Sequence, residues 1–148
     1  MPEKETIERA RRDKRQGKAP STQAGEFVRE EIHHIREGKH GARNTKQAIA
    51  IGLSKARRAG VKLGTPKNAS AATKRSAKSA ARAGRKRAKP SRRRSRAMLR
   101  KLKREGRSAV SRKALSRQSR AAARRRPAAA RRRAAKKAAQ TRKRHASA

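Results

Sequence analysis

Residues 21–38 read STQAGEFVREEIHHIREG and residues 44–60 read NTKQAIAIGLSKARRAG, and these two stretches decide the fold. In the first, Ala24, Phe27, Val28, Ile32 and Ile35 recur at helical spacing as one apolar stripe, with Ser21 or Thr22 as N-cap and Gly38 as the natural stop. In the second, Ala48, Ile49, Gly52, Leu53, Ala56 and Ala59 form the stripe. Asn44 caps it, Gln47 completes an approximate capping box, and Gly60 ends it. Two short amphipathic helices joined by residues 39–43 imply a small helical hairpin with Phe27, Val28, Ile32, Ile35, Ile49, Leu53 and Ala56 as its core. Gly52 and the alanines permit close approach, and Val61 and Leu63 fold back over the final turn. A module of roughly 40 residues is below the size at which one core is normally stable alone, so homodimerisation through residues 21–63, or ordering on a partner, is expected.

Outward from the hairpin the pattern weakens. Residues 1–20 form a polar N-terminal arm whose residues 2–16 carry helix signals: Pro2 and Glu3 at the start, Glu5 and Glu8 in the first turns, basic residues later, Gly17 past the end. With Ile7 and Ala10 alone to bury, this segment reads as a solvated or fraying helix rather than a core element. On the other side, Gly64 and Pro66 punctuate residues 61–68, the apolar pattern stops and the charge balance changes. Net charge is +8 over residues 1–65 and +32 over residues 66–148, where Glu105 is the single acid.

Residues 64–148 are a low-complexity tail of Ala, Arg, Lys and Ser. These residues favour helix, whereas mutual repulsion of the cations opposes it until phosphates neutralise them. The fold class is therefore mostly α with extensive disorder: a helical hairpin module plus a basic tail that becomes helical on binding. Helical candidates are residues 68–83, 91–105 and 108–126. Met98, Leu99 and Leu102 form one apolar patch and Val110, Ala114 and Leu115 another, so the last two candidates are expected to pair as a weak second hairpin.

Composition bounds the function. The chain has 148 residues, 49 of them Lys or Arg and 9 Asp or Glu, for a formal charge of +40, and such a chain needs a polyanion. Candidate nucleic-acid ligands are Arg85, Lys86, Arg87, Arg92, Arg93, Arg94, Arg96, Arg100, Lys101, Lys103, Arg104, Arg124, Arg125, Arg126, Arg131, Arg132, Arg133, Lys136, Lys137, Arg142, Lys143 and Arg144. The +32 tail matches on the order of 50 Å of duplex, about 16 base pairs, at one phosphate charge per roughly 1.7 Å. One aromatic residue, Phe27, leaves no stacking platform for unpaired bases, which favours duplex DNA over single strands and over RNA. No zinc finger, zipper or packed helix-turn-helix is present to read base sequence.

Other chemistry is weaker. Absence of cysteine removes disulfides and thiolate sites, and no nucleophile and base pair or Gly-rich cradle supports catalysis or a small-molecule substrate. Glu30 with His34, and His33 with Glu37, are each one helical turn apart with His40 nearby, yet the two histidines point to different faces, so solvated helix-face residues are preferred over a metal site and no metal or other cofactor is expected. Gly38-Lys39-His40-Gly41 lacks the phosphate-loop spacing and reads as a helix stop and turn. Ser95, Ser111, Ser116 and Ser119, flanked by basic residues, read as caps and spacers before phosphorylation sites. No apolar leader or membrane span is visible, which points to the cytoplasm and the nucleoid.

The run KQAIAIGLSKARRAG, preceded by EFVREEIHHIREGKHG, resembles a small bacterial domain family of unknown function with a KQAIAIALSEAR-like segment, over about residues 21–63. Lys55 stands where that pattern has an acid, making this helix more basic. The final stretch, PAAARRRAAKKAAQTRKRHASA, is similar in composition to the tails of linker-histone-like proteins. Together these readings imply a histone-like, nucleoid-associated protein that binds duplex DNA without sequence preference. The alternatives are an RNA- or ribosome-associated structural protein and, behind it, an adaptor with a protein-binding N-terminal module and a DNA-tethering tail.

Overall fold

The computed structural model describes residues 2–86, 89 and 91–146, so Arg87 lies outside the described residues. These residues are α-helical with no strand. The chain divides into two compact units, Met1–Ser111 and Arg112–Ala148. The first contains α1 (Lys4–Arg15), α2 (Pro20–Arg36), α3 (Thr45–Arg58), α4 (Ala71–Arg85), α5 (Arg92–Lys103) and a 3-10 turn at Ser108–Val110. α1 packs on α2, α2 on α3 and α3 on α4, and the 3-10 turn sits on α2 and α3.

The hairpin of α2 and α3 forms where its sequence places it. The Asn44 side chain accepts from Gln47 N at 2.9 Å, while Gln47 Oε1 accepts from Arg43 N at 2.8 Å, closing the cap reciprocally. Gly38 and Gly60 take the left-handed conformation, φ 80° and 93°, that lets each helix stop in a tight turn. α2 starts earlier than Ser21 or Thr22 suggests. Pro20 is its first residue and Ala19 its N-cap, since proline's fixed φ suits a position whose N–H has no helical partner.

Two apolar clusters hold this unit. Ala10, Ala24, Phe27 and Ala56 form one, with Ile7, Leu53, Val61 and Leu63 against it. Ile35, Ala42, Ala48, Ala109 and Val110 form the other, with Ile32 alongside. Of the core expected from sequence, Phe27, Ile35 and Ala56 are fully buried, whereas Val28, Ile32, Ile49 and Leu53 are half-buried.

Several expectations change. α1 is a packed element rather than a solvated one: Thr6 and Ala10 are buried, and Arg9 Nε donates to Glu26 Oε2 of α2 at 2.8 Å. A helix polar all round docks here through small residues and an ion pair, a pattern that apolar periodicity misses. The compact unit also continues past the charge boundary at residues 61–68. Gly84 lies inside α4 instead of ending it, and it marks a close approach where a Cβ would run into the Arg57 carbonyl at the end of α3.

Part of the apolar surface assigned to a second hairpin is taken up by the first unit. Leu102, Ala109 and Val110 are buried in the first unit, leaving Met98 and Leu99 exposed. Residues 39–43 recruit that segment: Gly41 N donates to Leu102 O at 2.9 Å and Ala42 N to Gly106 O at 3.0 Å. Thr45 Oγ1 donates to Ala109 O at 2.6 Å, and Arg36 reaches Val110 O through Nε and Nη2. A sequence with so few large apolar residues fills its second cluster with whichever are within reach, and these come from far along the chain.

The second unit is α6 (Arg112–Arg124) and α7 (Ala128–Ala146), broken at Pro127. α6 buries no residue, and α7 is exposed throughout its described length except at half-buried Ala130. Where extensive disorder is expected from the sequence, the described residues of the tail are helical, with α7 as a fourth basic helix beyond the three candidates. High helix propensity of Ala, Arg and Lys accounts for this, since each residue supplies local stability that needs no core. No helix among the described residues is long and apolar enough to cross a membrane.

Gly52 sets the closeness of the hairpin, since a Cβ there would lie 2.7 Å from Val28 Cα and 3.0 Å from Phe27 O. Gly52→Ala is therefore predicted to lose about 1–3 kcal/mol by overpacking even though alanine is the better helix former by up to about 1 kcal/mol. Urea denaturation of the full chain measures this, and unchanged or increased stability would contradict the close crossing.

Candidate nucleic-acid interface

The cations expected to meet phosphate lie where helix geometry spreads them along rods. Arg85 and Lys86 close α4; Arg92, Arg93, Arg94, Arg96, Arg100, Lys101 and Lys103 stud α5, with Arg104 just beyond. In the second unit Arg124 ends α6, Arg125 and Arg126 follow it, and Arg131, Arg132, Arg133, Lys136, Lys137, Arg142, Lys143 and Arg144 belong to α7. All of these are exposed. From Arg92 to Arg142, no described Lys or Arg forms an ion pair within the protein.

α7 has 19 residues and so a length of about 28 Å at 1.5 Å per residue. Its eight Lys and Arg residues then average one per roughly 3.5 Å, near the 3.4 Å phosphate spacing along one strand of duplex DNA.

The structure extends the candidates to a basic face of which the sequence reading named Arg85 alone. Arg75, Lys78, Arg82 and Arg85 of α4 line an open groove of about 580 Å³ together with Thr65 and the Gly64 segment. Their spacing of three, four and three residues is the helical signal that identifies one face, and it was available in the sequence. Leu63, Ser79 and Ala81 complete the lining, so the cations rim a groove whose walls also carry apolar surface.

The acids do different work. Arg9 with Glu5 and Glu26, Lys18 with Asp13, and Lys39 with Glu3 and Glu37 pair within the first unit. The Lys39 ammonium holds the Glu37 carboxyl below the ordinary carboxylate range, and Glu37 in turn raises Lys39. A hydrogen bond between His34 Nε2 and Glu3 Oε1, at 2.8 Å, is the main cause of the lowered Glu3.

Between α2 and α3 lies a buried polar cluster. Lys55 Nζ is 3.4 Å from Glu30 Oε1 and 2.7 Å from Glu31 Oε2, and the two carboxylates are almost wholly buried. Lys55 is thus the ammonium that faces both buried acids. Of the histidines, His33 behaves as a solvated helix-face residue beside Glu37 at 2.9 Å. His34 does not: its side chain is 12% exposed and turned into the cluster, where His40 and Glu31 meet it.

Comparison with protein-family models, with curated proteins and with solved structures finds no match for this chain.

Removing the Lys55 charge leaves Glu30 and Glu31 buried around one missing cation. Lys55→Met is predicted to destabilise the protein by about 3–5 kcal/mol in urea denaturation. A loss below about 1 kcal/mol would contradict a supporting role for this ion pair.

Proposed function

We propose that this protein is a histone-like, nucleoid-associated binder of duplex DNA, acting through phosphate neutralisation without sequence preference. The single observation that carries the reading is the array of exposed cations along α5, the α6–α7 junction and α7, with no acidic residue between Arg112 and Ala148 to answer them. Charges of one sign at near-phosphate spacing are costly to hold together in water and are relieved by a polyanion. The α4 groove provides a further phosphate track on the first unit. The lack of aromatic stacking side chains supports duplex over single strands and over the base-reading modes used on RNA.

The two units divide the labour. The first unit anchors the chain, and residues 21–63, which resemble a small bacterial domain of unknown function, offer the surface for a second copy. The second unit carries the bulk of its cations on helices with no core, so these helices lengthen or fray with the ionic atmosphere and tighten when phosphate screens their repulsion. Binding of several duplexes by one dimer compacts DNA.

Full-length protein carrying Arg131→Gln, Arg132→Gln and Arg133→Gln tests this reading. Each lost phosphate contact lowers the slope of log affinity against log salt by about 0.9, so the triple variant is expected to lose up to about 2.7 in slope, equally on duplexes of unrelated sequence. An unchanged slope would remove α7 from the interface. Tighter binding to structured RNA than to duplex DNA at matched salt would favour an RNA or ribosomal partner instead.

A further inference from the structure

The cluster between α2, α3 and the 39–43 turn is not used by phosphate binding, and its chemistry is incomplete. Glu31 has no solvent exposure, and neither of its carboxylate oxygens accepts a hydrogen bond. Lys55 and His40 are near enough for ion pairing, at 2.7 Å and 3.3 Å, without hydrogen-bond geometry. Glu30, by contrast, is satisfied, since its Oε2 accepts from Glu3 N at 3.2 Å. Two buried carboxylates therefore share one ammonium, with the imidazoles of His34 and His40 facing them at 4.0 Å and 3.3 Å.

The two histidines are already oriented. His34 Nε2 is held by Glu3 Oε1 at 2.8 Å, which leaves Nδ1 as the lone-pair nitrogen. His40 Nδ1 lies 3.1 Å from Gly41 O, which leaves Nε2 as its lone-pair nitrogen, 3.3 Å from Glu31 Oε1. A carboxylate or backbone carbonyl fixing one imidazole nitrogen is the usual outer support of a metal-bound histidine. One donor atom from each of Glu31, His34 and His40 lies within 4.8 Å of the other two. Two imidazole nitrogens and one carboxylate form a borderline donor set suited to zinc and its neighbours rather than to magnesium or calcium.

We propose that Glu31, His34 and His40 bind a divalent transition-metal ion, zinc being the natural candidate, with Glu3 as the residue that positions His34. The ion gives the Glu31 carboxylate the partner it lacks, leaves Lys55 to Glu30, and fastens the 39–43 turn to α2. Because that turn also binds the 102–106 backbone through Gly41 and Ala42, the metal clips together segments distant in sequence. The site is independent of the DNA-binding reading and survives its failure.

The test is calorimetric titration of metal-stripped full-length protein with zinc chloride, paired with thermal melts and with the visible spectrum of the cobalt-loaded protein. One equivalent is expected to bind and to raise Tm, with intense low-coordinate cobalt bands, while magnesium chloride has no effect. His40→Gln and Glu31→Gln should abolish binding, Glu3→Gln should weaken it about 10–100-fold, and His33→Gln should leave it unchanged. Should Glu31→Gln fail to fold, His40→Gln at the cluster's edge decides. No saturable zinc binding by the wild type, or loss in His33→Gln equal to that in His40→Gln, would overturn the proposal. So would a Tm that responds to protonation of the histidines and not to zinc.

Discussion

Nine carboxylates answering forty-nine cations is the constraint under which the whole chain folds. Glu3, Glu5, Asp13, Glu26, Glu30, Glu31 and Glu37 are all ion-paired, and all lie on or beside α1 and α2. Concentrating the acids there neutralises one region well enough for small residues to close around Phe27 and Ile35. Beyond Arg112 no acid is present and no described residue is buried, so helix propensity replaces core packing there. Sign segregation thus gives a braced bundle followed by cationic rods.

Within the bundle, size substitutes for hydrophobicity. The buried residues are largely alanines, and glycines sit at the closest approaches: Gly52 against Val28 and Phe27, Gly84 against the end of α3, Gly41 against the Glu105 backbone. Close backbone approach increases dispersion contact where large side chains are lacking. It also leaves polar groups buried, which is why Glu30 and Glu31 are enclosed at the heart of the hairpin with the half-buried Lys55 against them.

The hairpin and its punctuation were legible because they rest on local rules: helical apolar spacing, the Asn44 cap and the glycines at 38 and 60. What was not legible is long-range. Nothing local marks Ala109 and Val110 as partners of Ile35 and Ala48, or indicates that Thr45 will bond a carbonyl 64 residues away. The same holds at the buried cluster, where adjacency in sequence pointed to Glu30 with His34, while the folded chain brings Glu31 and His40 to His34 through the turn after Gly38. The α4 face was a different kind of miss, since Arg75, Lys78 and Arg82 repeat with helical spacing toward the candidate Arg85 but are hidden in a segment rich in cations everywhere.

Phosphate recognition by charge alone, the central claim, makes a quantitative demand on the intact protein. The most direct measurement is the affinity of full-length protein for two duplexes of unrelated sequence between 50 and 200 mM salt. The account predicts parallel lines that fall by roughly 10³ to 10⁵ across that range, as six to ten phosphate contacts require. An affinity insensitive to salt, or one that separates the two sequences by orders of magnitude, would contradict it.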